Sequence, residues 1–215
     1  MVNADRGSAV GLRERKKQRT RATLIDAAVE LCNRQGYERT TVDQIAAVAD
    51  VSPRTFSRYF ATKEAVVLAF IDEVEELIAL ELAGQPPDIS HVEALYRSNV
   101  AVYLSAKSAP EGGLSAERLL ASTRILASSP TLMLAASEYH AGAIISALAA
   151  RMGVNGDDLR LRLVGAVWAS IVLTALAGFD ATTDWEAVTI DEIVARVESM
   201  YREFVMVSGN AAQPV

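Results

Sequence analysis

The chain has 215 residues, of which 51% are hydrophobic, so it is long enough to bury a sizeable core in one or two domains. Its net charge of −6 is unevenly placed: residues 1–63 hold 12 Lys and Arg against 7 Asp and Glu, and the remainder holds 9 against 20. The single cysteine, Cys32, excludes an internal disulfide, and the lack of a sustained Val/Ile/Thr alternation excludes a mainly β fold.

The composition, rich in Ala, Leu, Val and Glu with only 12 glycines and 6 prolines, predicts an all-α fold. A basic N-terminal part joined to an acidic remainder is the electrostatic pattern of a domain that meets phosphates. The charge counts alone are also consistent with a chance distribution of solvent-exposed charged residues. Cys32 lies among apolar residues, which predicts a buried structural thiol.

The first residues are polar and unpatterned. Residues 1–12 resemble neither a signal peptide nor a transit sequence, which predicts a cytoplasmic protein with a disordered arm over residues 1–14. A basic run then leads into the first helix: Arg13, Arg15, Lys16, Lys17, Arg19 and Arg21. Two interpretations stay open, a solvated helix start or an arm that binds the DNA backbone or the minor groove.

Three short helices are predicted in residues 15–62. The first runs from about Thr20 to Gln35 and ends at Gly36, a residue that favours the position after a helix. Residues 41–60 then read T-V-D-Q-I-A-A-V-A-D-V-S-P-R-T-F-S-R-Y-F. Thr41 and Ser52 are N-caps, and Pro53 suits a first helical position. Two helices joined by about three residues indicate a helix-turn-helix.

The second helix of this pair sorts its side chains by chemistry. Phe56 and Phe60 lie one turn apart on an apolar side, with Tyr59 beside them. The opposite side carries Arg54, Ser57 and Arg58, flanked by Thr55. A helix of about eight residues is unstable alone, so the phenylalanines must anchor it to a core. The outward cationic side is suited to the major groove of DNA, because arginine bonds guanine bidentately.

This ordered series of small, apolar and hydroxylic residues resembles the DNA-binding domain of the TetR family of transcriptional regulators, over roughly residues 15 to 70. The matching positions are Thr41, Ile45-Ala46, Ala49, Val51-Ser52, Thr55-Phe56, Tyr59-Phe60 and Lys63-Glu64. The S-P-R-T-F and R-Y-F segments are similar to an actinobacterial subgroup. Arg54 and Ser57-Arg58 depart from the commonest pattern on the reading side, so the resemblance does not carry over an operator sequence.

The resemblance implies a set of DNA-binding residues: Thr41, Ser52, Arg54, Thr55, Ser57, Arg58, Tyr59 and Lys63. Lys63 also has an argument of its own. It stands in the first turn of a helix predicted from Thr62 to about Ala83, where a cation opposes the helix dipole. That misfit indicates a phosphate partner.

Residues 63–207 are predicted to form a helical ligand-binding and dimerisation domain. Its further helices cover about 89–107, 115–127, 131–152, 157–178 and 188–207, which makes about nine helices in the chain, followed by a disordered tail over 208–215. Residues 163–179 carry no charge, but the run is short for a membrane span, so no membrane partner is expected. A helix apolar all round is buried in a core or against a partner chain.

The resemblance implies that the last two helices build a four-helix bundle in a homodimer. The candidate interface residues are Ala166, Ala169, Val197 and Tyr201. Isolated polar groups on apolar helices are the usual make-up of a small-molecule site, or else core residues with satisfied hydrogen bonds. The candidates for a small apolar ligand are Asn99, Tyr103, His140 and Trp168.

Enzymatic constellations are absent from the sequence. It has no G-x-S-x-G, no glycine-rich phosphate loop and no His/Cys cluster, and Glu138 and His140 diverge on a helix, so no metal or cofactor is predicted. The expected function is a ligand-responsive repressor that binds double-stranded operator DNA of pseudo-palindromic sequence as a homodimer. The alternatives are a DNA-binding regulator without a ligand and a helical-bundle enzyme.

Overall fold

The computed structural model describes residues 5–110, 113–138, 142–179 and 182–211, and its regular elements in these ranges are all helical. The helices are α1 (Asp5–Gln35), α2 (Val42–Val48), α3 (Pro53–Tyr59), α4 (Lys63–Ala83), α5 (His91–Ser105), α6 (Ala116–Ala127), α7 (Pro130–Glu138), α8 (Gly142–Met152), α9 (Leu159–Leu176) and α10 (Ile190–Ala211). A short 3₁₀ turn covers Ala106–Ser108. The predicted all-α fold is confirmed.

Three helices differ in their bounds from the sequence-based prediction. α1 begins at Asp5, well before Thr20, and α10 continues to Ala211, into the predicted tail. Lengthening a helix that already exists adds one hydrogen bond per ordered residue without a new nucleation step, which favours such extensions. The predicted helix 131–152 spans two described helices, α7 and α8, and residues 139–141 between them lie outside the described ranges.

The chain divides into two compact units, one up to Phe70 and one from Ile71 onward, so the division lies eight residues beyond the predicted boundary at 62 and 63. In the first unit, α1 packs on α2 and α2 packs on α3. The side chains of this core include Leu24, Ala28, Leu31, Ile45, Phe56 and Phe60. Cys32 is buried with them, and burial raises the pKa of its thiol, as expected of a structural cysteine.

The helix ends of the first unit follow the predicted capping. Thr41 Oγ1 accepts from Gln44 N–H at 3.3 Å, and Gln44 Oε1 accepts from Thr41 N–H at 3.0 Å, which is a reciprocal capping box. Gly36 has φ +84°, and its N–H donates to Cys32 C=O at 2.8 Å, so it ends α1 as predicted. Asp50, in the turn between α2 and α3, has φ 53°, a left-handed conformation that L side chains rarely adopt.

In the second unit, α9 and α10 pack against each other, and α5 packs on α8, α9 and α10. The core of this unit includes Leu95, Leu119, Leu132, Leu148, Leu161 and Ile193. Arg151 of α8 fixes the loop after α4, because its guanidinium donates to the carbonyl oxygens of Gln85, Pro86 and Ile89. The packing of α5 and α9 positions the candidate ligand residues that these two helices carry.

The left-handed turn at Asp50 yields a stability prediction. Asp50→Val should lower the free energy of unfolding by about 1–2 kcal/mol, because a β-branched side chain is strained at positive φ. Asp50→Gly is the matched control and should be close to neutral, because glycine adopts this φ without strain but is more flexible when unfolded. Urea unfolding followed by circular dichroism measures both, and equal stabilities of the two variants would contradict the assigned turn geometry.

Candidate DNA-binding surface and helical body

The two sides of α3 are separated as the sequence predicts. Phe56 and Phe60 are 1% and 6% exposed, and their ring centroids lie 5.9 Å apart in the core of the first unit. Arg54, Ser57 and Arg58 are exposed, and Thr55 is half-buried. The guanidinium of Arg54 has no hydrogen-bond or ion-pair partner in the described part of the chain. Its five N–H donors therefore remain available to an external acceptor.

Local hydrogen bonds position the hydroxyl groups near the start of α3. Ser52 Oγ accepts from Thr55 N–H at 3.1 Å and lies 3.0 Å from Thr55 Oγ1. Ser57 Oγ donates to the Pro53 carbonyl oxygen at 3.1 Å. These contacts hold the hydroxyl oxygens in place while their remaining lone pairs stay open to donors. Thr41 is exposed, and its hydroxyl is engaged in the capping box. This capping role alone explains why a threonine stands at this position.

Lys63 is placed differently from the other candidates. It is half-buried, its Nζ donates to the Tyr37 carbonyl oxygen at 3.0 Å, and the same Nζ lies 3.9 Å from the centroid of the Tyr37 ring. The tertiary structure thus supplies an internal partner for the cation at the start of α4. Tyr37 is distant from Lys63 in the chain, so no local sequence pattern contains this partner, and a phosphate partner for Lys63 stays a prediction.

A tyrosine and a carboxylate complete this cluster. The Tyr37 hydroxyl donates to Glu64 Oε1. Burial and the neighbouring Glu64 carboxylate raise the pKa of Tyr37 above its ordinary value, and the hydrogen bond from Tyr37 lowers the pKa of Glu64. Tyr37 therefore ties the end of α1 to the first turn of α4, a role that the sequence interpretation missed.

Tyr59 lies where α3 meets α1. The Arg58 guanidinium is 5.2 Å from the centroid of its ring. The pKa of Tyr59 is lowered, chiefly by hydrogen bonding to Arg58; burial opposes this shift, and Thr20 and the charges of Arg58 and Lys17 add smaller lowering effects. Arg21 of α1 lies 5.4 Å from the centroid of the adjacent Phe60 ring. Basic residues of α1 and α3 therefore lie beside one another.

The second unit brings polar groups into an apolar interior. Asn99 and Tyr103 are 4% and 6% exposed and stand one turn apart on α5, and Trp168 of α9 is 5% exposed. Burial raises the pKa of Tyr103 to about 12, so the hydroxyl stays protonated. His140 lies outside the described residues.

The candidate interface residues do not share one environment. Ala166 is exposed and Ala169 half-buried on α9, as an interface would need. Val197 is only 1% exposed, and Tyr201 stacks on Tyr96 with ring centroids 4.3 Å apart. Val197 is covered by the chain's own core, which the 3.6-residue pattern cannot distinguish from a partner chain, whereas Tyr201 is half-buried and its place in an interface stays a prediction.

Instead, α9 and α10 expose other apolar residues. Leu159 and Leu163 are 71% and 65% exposed and lie on the same side of α9 as Ala166 and Ser170. The end of α10 exposes Val205, Met206 and Val207. By length and composition α9 is able to cross a membrane, but the core helix of a globular protein passes the same test. Within the described ranges, His, Cys, Asp and Glu side chains do not gather in threes as a metal site.

Comparison with known proteins agrees with this arrangement. A family model described as "Bacterial regulatory proteins, tetR family" matches residues 24–70. The HTH-type transcriptional regulator TcmR of Streptomyces glaucescens is 37% identical over 186 residues, which cover 84% of this chain and 82% of TcmR.

Solved structures give weaker matches. FadR of Thermus thermophilus, a TetR family repressor in complex with lauroyl-CoA, is 25% identical with a TM-score of 0.44, covering 85% of this chain and 91% of FadR. SmeT, the repressor of a Stenotrophomonas maltophilia multidrug efflux pump, is 19% identical with a TM-score of 0.49, covering 85% of this chain and 89% of SmeT. On its sequence match to TcmR and to the family model, the chain belongs to the TetR family of bacterial regulatory proteins.

Proposed function

We propose that this protein is a cytoplasmic repressor that binds a pseudo-palindromic operator as a homodimer and releases it when a small apolar ligand enters the second unit. The observation that carries the DNA-binding part is α3, whose buried phenylalanines leave an unpaired Arg54 and the hydroxyls of Ser52 and Ser57 at the surface. Members of the family are transcription factors and not enzymes, which removes the helical-bundle enzyme as an alternative.

Arg54 is suited to reading a base. It occupies the second position of α3, and the N-terminal residues of a recognition helix meet base edges in the major groove. A guanidinium with all donors open forms the bidentate contact to guanine O6 and N7 that discriminates among base pairs. Ser52 and Ser57 flank it with hydroxyl oxygens in fixed positions.

Substitution of Arg54 tests this role. Arg54→Ala should weaken operator binding by roughly 1–3 kcal/mol, about 5- to 150-fold, and reduce the ratio of operator to random-DNA affinity. Arg34→Ala is the matched control, because Arg34 is an exposed arginine in the last turn of α1 and pairs with Glu30. Fluorescence anisotropy with both duplexes measures the ratio. An unchanged ratio in Arg54→Ala would contradict the assignment of Arg54 as a reading residue.

Dimerisation follows from the size of α3 and from the exposed apolar surface of the second unit. A helix of seven residues contacts too few base pairs for tight specific binding, so two copies about 34 Å apart must act together. We define the α9 face as Leu159, Leu163, Ala166 and Ser170. Two leucines more than 60% exposed on one helix side indicate a surface that a second copy covers by two-fold symmetry.

A charge placed on this face tests the dimer. Ala166→Asp should separate the subunits, because an unpaired carboxylate is costly to bury, and operator affinity should fall with dimer content. Ala150→Asp, at an exposed position of α8, controls for the added charge. Sedimentation at micromolar concentration measures the oligomeric state. A dimeric Ala166→Asp variant, or a monomeric parent protein that binds the operator tightly, would refute this interface.

Control by a ligand rests on Asn99, Tyr103 and Trp168. All three side chains are buried, and Asn99 and Tyr103 stand one turn apart on α5. Their apolar surroundings and few polar groups are typical of small-molecule sites between helices. The Asn99 amide and the Tyr103 hydroxyl lie on one side of α5, so one small guest can bond both.

A ligand screen tests this site. Apolar metabolites and drugs that raise the melting temperature should also release operator DNA, and a tenfold loss of DNA affinity must be matched by a tenfold weaker ligand in the operator complex, about 1.4 kcal/mol. Asn99→Leu should abolish the response. Ser98→Ala is the control, because buried Ser98 already donates to the Ala94 carbonyl oxygen. Stabilising compounds that leave DNA affinity unchanged would refute the control mechanism, and a response that survives Asn99→Leu would refute the site.

A further inference from the structure

The joint between the end of α1 and the start of α4 carries an inference about the spacing of the two reading helices. Tyr37 lies in the connection between α1 and α2 and is 4% exposed. Its hydroxyl donates to Glu64 Oε1, and its carbonyl oxygen accepts from Lys63 Nζ at 3.0 Å. The Lys63 Nζ also lies 3.9 Å from the centroid of the Tyr37 ring. One residue is thus bonded to the first turn of α4 through both its side chain and its backbone.

Hydrogen bonds on either side of Tyr37 hold this connection in place. Gln35, at the end of α1, donates from Nε2 to the Arg39 carbonyl oxygen at 3.0 Å and to Gln44 Oε1 at 2.9 Å. The same Gln44 oxygen accepts from Thr41 N–H in the capping box of α2. Because α2 packs on α3, the segment that carries Tyr37 is fixed to the helix that supports the reading helix.

Apolar packing alone defines the direction of α4 less closely than these bonds do. Val66, Ala69 and Phe70 of α4 are buried residues of the first unit. The burial of apolar surface depends on area and has no preferred direction, so such a contact tolerates small rotations of a helix. Hydrogen bonds require an aligned donor and acceptor. The bonds from Tyr37 therefore determine the angle at which the first turn of α4 meets α1 and α2.

The bond between Tyr37 and Glu64 is also a strong one. Burial raises the pKa of the Tyr37 hydroxyl above its ordinary value, so this group remains a donor. The hydrogen bond from Tyr37 lowers the pKa of Glu64, so the acceptor remains charged. A hydrogen bond to a charged acceptor is roughly twice as strong as a bond between neutral groups. Turning α4 away from its direction in this structure breaks that bond.

We propose that Tyr37 and Glu64 are positioning residues that set the half-site spacing of the operator, because they fix the direction in which α4 leaves the first unit. The inference rests on the proposed binding of an operator by a dimer. α4 begins in the first unit and ends in the second, which carries the proposed dimer contact. The separation of the two copies of α3 therefore depends on that direction. One inserted base pair moves a half-site by about 3.4 Å and about a tenth of a turn, so it demands a different direction.

Operators of altered spacing test this inference. A duplex that the parent protein selects from random DNA is compared, by fluorescence anisotropy, with duplexes in which one base pair is added or removed between the half-sites. The parent should prefer the selected spacing. Tyr37→Phe should reduce this preference roughly tenfold, because the phenylalanine has no hydrogen bond to lose when α4 changes direction. Tyr96→Phe is the matched control and should keep the parent's preference, because Tyr96 stacks on Tyr201 through its ring.

A second variant tests whether the hydroxyl acts through the carboxylate. In a Glu64→Ala chain, Tyr37→Phe should change the spacing preference no further, because the bond is already absent. Circular dichroism measures whether the variants fold. If Tyr37→Phe does not fold, Glu64→Gln, which keeps the size of the side chain and removes its charge, should reduce the preference by a smaller factor.

The outcomes separate this inference from the proposed function. A parent-like spacing preference in the folded variants overturns the inference, even if their stability or their affinity for all DNA is lower, because the bond would then serve only stability. A parent protein that binds all spacings equally also overturns it. A parent protein that selects no operator would instead refute the proposed function.

Discussion

The burial of Phe56 and Phe60 is the constraint on which the DNA-binding surface depends. A seven-residue helix is far below the length at which a helix is stable in water, so α3 exists only because two large aromatic side chains fix it to α1 and α2. That anchoring also determines which side chains point outward. Because Phe56 and Phe60 lie one turn apart, Arg54, Ser57 and Arg58 are left on the opposite side.

The same aromatic anchor determines what α1 contributes. Arg21 packs against the Phe60 ring, so a cation of α1 is brought to the end of α3. Like charges brought together repel each other in the absence of a ligand and are stabilised by an anion. Basic residues of the first unit are thus gathered at one surface. The second unit, in contrast, is acidic overall.

The second unit has a different imbalance, in which apolar surface is exposed and polar groups are buried. Leu159 and Leu163 face solvent on α9, while Asn99 and Tyr103 lie in the interior of the second unit. Both arrangements cost free energy in an isolated chain, because exposed apolar area stays hydrated and buried polar groups lose their contact with water. A second copy of the chain that covers the α9 leucines would remove the first cost. A small ligand that bonds the buried polar groups of α5 would reduce the second.

The sequence alone determined the helices, their caps and the amphipathic side of α3, because these depend on neighbours within one or two turns. Thr41, Ser52 and Gly36 act where they were predicted. Tertiary structure decided the partners of residues far apart in the chain. Lys63 meets Tyr37, and Val197 packs into the chain's own core, because a periodic pattern shows that a side is buried but not what covers it. Arg21 of α1 meets the Phe60 ring for the same reason, through a helix packing that no local pattern contains.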